Sequence, residues 1–196
     1  RYTAYTKGSQ TPSTPQTPSG TTVPPSGARI RLCIEADQRA GSLLDALERA
    51  NGWATLYCTP EFMENNGDLL RRLAVSGSAV GLLLDPEDPA ESLDQQLKRG
   101  NDALYRATLT RTRLVYAGGG EETLQALEQL GYSCLTPDMD RTDYKLESAA
   151  NAAALLKRVS ARRRDVSVWL GTTASAAGVK EFVSSAQREG HYCRAM

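Results

Sequence analysis

From Ile30 to Ala195 short apolar runs alternate with helical segments, and this alternation limits the fold more than any other feature of the chain. Ile30, Leu32 and Ile34 alternate with Arg31 and Cys33, the period-two pattern of a strand. Ser42 to Ala50 follows, with Leu43, Leu44 and Leu47 on one helical face. Ala54 to Cys58 reads as the second strand and Pro60 to Leu73 as a helix. Ala79 to Leu84 is apolar throughout, as in a strand buried on both sides. Asp88-Pro89-Ala90-Glu91 has the form of a helix start, and the helix it opens carries Leu93, Leu97 and Leu104. Further strands are expected at Arg113 to Tyr116, Ser133 to Thr136, Val166 to Leu170 and Tyr192 to Ala195. Helices are expected over Glu121 to Leu130, Ser148 to Ala161 and Gly178 to Arg188, the first and last stopped by Gly131 and Gly190. Seven strands alternating with six helices imply an α/β fold with a mostly parallel sheet and right-handed crossovers. Periodicity does not choose between a closed barrel and an open doubly wound sheet.

Residues 1–28 hold most of the prolines and many Ser and Thr, with almost no large apolar side chain. Such a segment cannot bury enough surface to offset its ordering entropy, so it reads as a linker or stalk. Residues 29–196 suit one domain with a sizeable core. The 23 basic residues balance 23 acidic ones, so no general basic footprint for nucleic acid is present. Arg162-Arg163-Arg164 is the one compact basic run; it reads first as a solvated helix end and second as a patch for phosphate or an anionic polymer. Cys33, Cys58, Cys134 and Cys193 show no CxxC spacing and sit in strand-like runs. Buried free thiols are expected, with one disulfide between neighbouring strands as the alternative. No stretch is apolar enough to span a membrane. The chain opens at Arg1 with a Thr/Pro/Ser-rich stalk, which suggests an exported domain, extracellular or in the cell envelope and tethered through an upstream anchor.

At Asn51 to Gly81 the pattern becomes specific. "NGWATLYCTPEFMENNGDLLRRLAVSGSAVG" resembles the segment after the first strand of the polysaccharide deacetylase (NodB-homology, carbohydrate esterase) family. Ala54-Thr55-Leu56-Tyr57, Glu61-Phe62, Asp68-Leu69, Gly77 and Gly81 hold the family's places. "KRGNDALYRATLTRTRLV" is similar to the helix and strand before the family's Arg-Pro-Pro-Tyr-Gly motif. "ETLQALEQLGYSCLTPDMDRTDY" is similar to the stretch ending in its Asp-rich loop. The resemblance runs from about Arg29 to Met196. It implies a distorted (β/α) barrel of about seven parallel strands, related to the TIM barrel, with the site at the C-terminal strand ends.

The chemical residues do not follow this framework. The family's Thr-Phe-Asp-Asp falls on Cys33-Ile34-Glu35-Ala36, so its general base becomes Glu35 and a metal ligand becomes Ala36. Its two metal-binding histidines fall at Leu83 and Glu87. The arginine of its Arg-Pro-Pro-Tyr-Gly motif falls at Tyr116, and the histidine of its late strand at Leu170 or Gly171. The Asp-rich loop survives as Asp138, Asp140 and Asp143. By the resemblance, deacetylation needs a divalent cation, a carboxylate base and an imidazole acid. The chain has a single histidine, His191, expected on the surface at the pole where strands begin. No metal centre, cofactor or catalytic residue is therefore expected. The implied role is binding of a cell-wall glycan or an envelope protein by a pseudoenzyme.

The alternative is a carbohydrate hydrolase with a rebuilt, histidine-free site. Glu35, Asp37, Asp85, Glu87, Asp138 and Asp140 lie near expected strand ends and could hold Ca²⁺ or Mg²⁺, or support glycoside hydrolysis, if they converge. Tyr116 and Tyr144 are expected at the functional rim as glycan-facing aromatics, with Trp169 a further candidate and Trp53 at the opposite end. A third possibility is a structural domain kept for assembly. Gly118-Gly119-Gly120 lacks phosphate-loop spacing, and Gly171 to Ser175 reads as a plain loop. Ser78 and Ser175 have no histidine base available for a triad, and Cys193 beside His191 lies at the wrong end.

Overall fold

The apolar runs form the seven expected strands in a computed structural model that describes residues 27–140, 145–162 and 164–196. The elements are β1 (Arg29–Glu35), α1 (Ala40–Arg49), β2 (Thr55–Cys58), α2 (Pro60–Asn65), α3 (Gly67–Ser76), β3 (Ala79–Leu84) and α4 (Leu93–Thr108). They continue as β4 (Leu114–Ala117), α5 (Glu121–Gln129), β5 (Ser133–Cys134), α6 (Ala149–Ala161), β6 (Val166–Gly171), α7 (Ala176–Arg188) and β7 (Tyr192–Arg194). Most of the Thr/Pro/Ser-rich segment, and Asp143 and Tyr144 from the Asp-rich loop, lie outside the described residues.

All pairings are parallel, in the order β5-β4-β3-β2-β1-β6, and β7 pairs with the first half of β1. Beyond β5 the chain crosses to β6, where Met139 bridges Val168. This curls the sheet into a half-barrel and settles the choice for a distorted (β/α) barrel over a flat doubly wound sheet. The outer face carries Ile30, Leu32, Ile34, Leu56, Leu82, Val115, Val168 and Leu170 into the main core, against Leu43, Leu47, Leu97, Leu104 and Phe182 of the helices. Cys33, Tyr57, Leu135 and Trp169 form a second, smaller core on the inner face.

Two helix expectations change. The segment from Pro60 breaks at Asn66, which leaves helical geometry (φ −130°, ψ 44°) while its side-chain amide donates to the Phe62 carbonyl at 2.8 Å. Helices α2 and α3 result. Helix α4 starts at Leu93 rather than Asp88. Ser92 and Gln95 satisfy each other's backbone in a reciprocal capping box, whereas Asp88 spends its carboxylate on the Ala90 N–H of a local turn. The four cysteines are free, and Cys33, Cys58 and Cys193 are buried.

His191 lies at the pole where strands begin. It is not a surface residue: its side chain is 14% exposed. Nδ1 accepts from the Ala28 N–H at 3.0 Å, and Nε2 lies 3.0 Å from Ser160 Oγ. The ring joins the start of β1 to α6 and α7. Trp53 is at this pole too, where its Nε1–H donates to the Ser76 carbonyl at 2.9 Å.

Candidate functional site

Strand polarity brings the C-terminal ends of β1, β2, β3, β4 and β6 around one mouth. Side chains alternate across a strand, so the inner face there receives Glu35, Tyr57, Leu83, Tyr116 and Trp169. These residues build a plug. The Tyr57 ring stands edge-on to Trp169 at 5.7 Å and to Tyr116 at 6.2 Å, and Tyr116 tilts against Trp169 at 4.2 Å. Leu83 packs on the same cluster. Tyr57 is 0% and Trp169 4% exposed, so these rings are core rather than a platform for sugar. Tyr116 is half-buried and packed into the plug instead of presented at the rim. The Tyr57 hydroxyl has no hydrogen-bond partner among the described residues.

Burial dominates the titration of the plug. It drives the Tyr57 phenol well above its ordinary value and pushes the Cys33 thiol up to about 12. Cys58 and Cys193 are likewise pushed up to about 12 by burial. None of these three thiols is available as a thiolate near neutral pH.

The acids do not converge. Glu35 is half-buried at the end of β1, in register with Tyr57. Asp37 is committed to Arg39, whose Nη2 donates to it at 2.6 Å and to the Thr172 carbonyl at 2.6 Å. This latch ties the loop after β1 to the loop after β6. Burial pulls the Asp37 carboxyl up, but Arg39 outweighs it and holds the group below its ordinary value. Asp85 closes a turn by accepting from the Glu87 N–H at 2.9 Å, and both are exposed.

Asp138 is not at the rim. It accepts from the Ser167 N–H at 2.9 Å and from Arg164 at 2.8 Å, and Ser167 is in register with Arg31. That level is four residues below Glu35, about 13 Å along the strand. Asp140 follows Met139 along β6. Leu170 is fully buried on the outer face, and Gly171 is in register with the outward-facing Ile34 and carries no side chain, so neither position expected for the late-strand histidine presents a group to the mouth. Gly171 takes a left-handed φ of 53° where the β1–β6 register shifts. Ala36 is 8% exposed and packs in the main core.

A cleft of about 270 Å³ opens beside the plug, between the ends of β2 and β3 and the start of α4. Leu83, Asp85, Glu61 and Glu91 line it with Arg99. The Arg99 fork donates to Glu64 at 2.8 and 2.9 Å and to Glu91 at 2.9 Å. Those hydrogen bonds, first to Glu64, raise the arginine further above its ordinary value. The sequence reading missed this network, because its members come from α2, α4 and the loop between β3 and α4. It also missed Tyr57 as an inner residue, because the pairing of β2 with β1 that places Tyr57 beside Glu35 is set by the fold.

The donor set does not fit a divalent cation. Ala36 and Leu83 hold no ligand atom, Glu87 faces solvent, and the one imidazole is at the other pole. Among the described residues no group of three or more His, Cys, Asp or Glu side chains is placed to hold a metal ion.

Asp138 gives a pH prediction. Partial burial pulls its carboxyl up, but the Ser167 N–H, Arg164 and the Ser167 hydroxyl together hold it below its ordinary value. A depressed native pKa contributes stability above the unfolded value, about 3.9, that is lost as pH falls through the native one. Unfolding free energy should therefore drop on acidification below about pH 4. Asp138→Asn should reduce that acid slope and leave the remainder of the pH profile in place.

No protein-family model matches the sequence, and no curated protein matches it. Solved structures do. A peptidoglycan deacetylase from Bacillus subtilis superposes with a TM-score of 0.70 at 17% identity, over 88% of this chain and 89% of that one. A polysaccharide deacetylase from Bacillus cereus gives 0.68 at 14%, over 87% and 92%. A mutant of a carbohydrate esterase family 4 pseudoenzyme gives 0.68 at 17%, over 88% and 67%. Another mutant of that pseudoenzyme is described as having restored enzymatic activity. The chain has the fold of the polysaccharide deacetylases.

Proposed function

We propose that this chain, built on the polysaccharide deacetylase fold, is a divergent and catalytically degenerate member of that family. Its role is binding, of a cell-envelope glycan or of a protein partner there. The observation that carries this is the plug: Leu83, Tyr116 and Trp169 fill the mouth where a metal, its water and a proton donor would have to sit. Ala36 supports it from the loop after β1. The cleft beside the plug, with Asp85, Glu91 and Arg99, supplies hydrogen-bonding groups suited to a polar ligand. The peptidoglycan deacetylase among the similar structures supports an extracellular or envelope location. No helix of the described residues is long and apolar enough to cross a membrane.

A carbohydrate hydrolase with a histidine-free site would need Glu35, Asp85, Glu87, Asp138 and Asp140 together. The commitment of Asp138 to Ser167 and Arg164 weighs against it.

Purified protein incubated with N-acetylated oligosaccharides and Zn²⁺, Co²⁺ or Mn²⁺ should release no acetate above the buffer rate. Sustained release that Glu35→Ala abolishes would refute the reading.

A further inference from the structure

A formal charge of zero hides a division by pole. In a βα repeat each strand-to-helix connection lies at the mouth and each helix-to-strand connection at the opposite pole. The mouth connections and first helical turns carry Glu61, Asp85, Glu87, Asp88, Glu91 and Glu122. The opposite pole carries Arg29, Arg31, Arg111, Arg113, Arg162 and Arg194 against Asp165 and Glu189, with Arg29 paired to Asp165 and Arg111 to Asp102. Part of this division is ordinary, because carboxylates suit helix N-termini and cations suit C-termini. The helix dipole does not account for Arg31, Arg113 and Arg194, which lie on or beside strands.

Arg31 and Arg194 are register partners on β1 and β7, a like-charge pairing that costs stability. Arg31, Arg113, Arg162 and Arg194 have no carboxylate partner among the described residues. Arg113 donates to the Gly131 carbonyl at 3.2 Å, and Arg194 lies over the Trp53 ring at 4.2 Å.

The same pole exposes large apolar side chains. Val75, in the last turn of α3, is 85% exposed; Leu109, which caps α4, is 75%; Leu130, which caps α5, is 59%. They come from three consecutive helix ends. Leu109 also holds a φ of 59°, a left-handed cap conformation that favours Gly or Asn. A leucine there meets backbone strain and buries little in return.

We propose that this pole docks on an anionic lipid surface. The arginines meet the headgroups, and Val75, Leu109 and Leu130 enter the interfacial layer. Charge complementarity favours this occupant over a neutral one, and the apolar tips favour lipid over a soluble polyanion. The chain also enters the domain at this pole, where the Ala28 N–H donates to His191. Docked in this way, the plugged mouth faces away from the lipid. The proposal does not depend on what the mouth binds.

The test is co-sedimentation of the whole chain with vesicles of phosphatidylglycerol and phosphatidylcholine, against phosphatidylcholine alone, at ~0.1 M salt. Binding is expected on the anionic vesicles only and should weaken as salt rises. It should fall about tenfold in Val75→Ser/Leu109→Ser/Leu130→Ser and in Arg31→Ala/Arg113→Ala/Arg194→Ala. Leu109→Gly removes one apolar tip while easing the backbone, so weaker binding by that variant does not come from unfolding. Equal binding to neutral vesicles, or none to anionic ones, would overturn the proposal. Binding unaffected by the serine substitutions and competed fully by inorganic polyphosphate would reduce the pole to a polyanion patch and overturn it too. Self-association in place of vesicle binding, abolished by Glu121→Ala/Glu122→Ala, would assign the pole to a second copy's acidic mouth instead.

Discussion

Trp169→Ala should lower the unfolding free energy by about 3–5 kcal/mol. The side chain is 4% exposed on a strand buried along its whole length. Its removal opens a cavity between Tyr57 of β2 and Tyr116 of β4, whose strands are held in register by β1 and β3 and cannot close the gap. The cost therefore includes a cavity contribution beside the lost transfer free energy. Trp169→Phe keeps most of the filling and should cost about 1–2 kcal/mol. Denaturant unfolding measures both. A loss under about 1 kcal/mol for the alanine variant would mean that the ring is a solvated platform rather than a plug.

Gly81→Ala should cost about 1–3 kcal/mol, through the same plug. A Cβ at Gly81 would come 2.5 Å from Cδ1 and Cε1 of the Tyr57 ring, and the two residues are register partners on β2 and β3. The glycine makes the space into which the tyrosine lies. Tyr57→Leu withdraws the ring edge, so the added methyl should then cost at least about 1 kcal/mol less than in the parent chain. Additivity of the two substitutions in unfolding experiments would contradict this packing.

The strands were legible because burial on the outer face demands uninterrupted or alternating apolar residues. Ala79 to Leu84 forms β3 over the residues expected for it. What the pattern could not rank was competition between local polar groups. Asp88-Pro89 and Ser92 both resemble helix caps, and only the reciprocal bonding of Ser92 with Gln95 decides between them. Asn66 breaks a helix that its apolar neighbours alone would continue.

The candidate site was legible in identity and less so in place. That a single imidazole sits where strands begin follows from chain order, but its burial depends on contacts with Ala28 and Ser160, remote in sequence. Leu170 was assigned to the mouth, and parity puts it outside. Asp138 was assigned to the rim because β5 was read as longer than it is. The strand ends at Cys134, and the segment that follows runs beside β6 from the level of Ser167. The charge division between poles escaped a reading based on net charge, since it appears only once connections are sorted by the end of the sheet they occupy.

Side chains fill the mouth of this barrel, and the proposed function requires that no divalent cation binds there. Calorimetric titration of the metal-free protein with Zn²⁺ at neutral pH tests it most directly. No saturable one-to-one binding is expected up to ~0.1 mM metal. A single site with a Kd of about 1 μM or tighter, lost in Glu35→Ala, would contradict it.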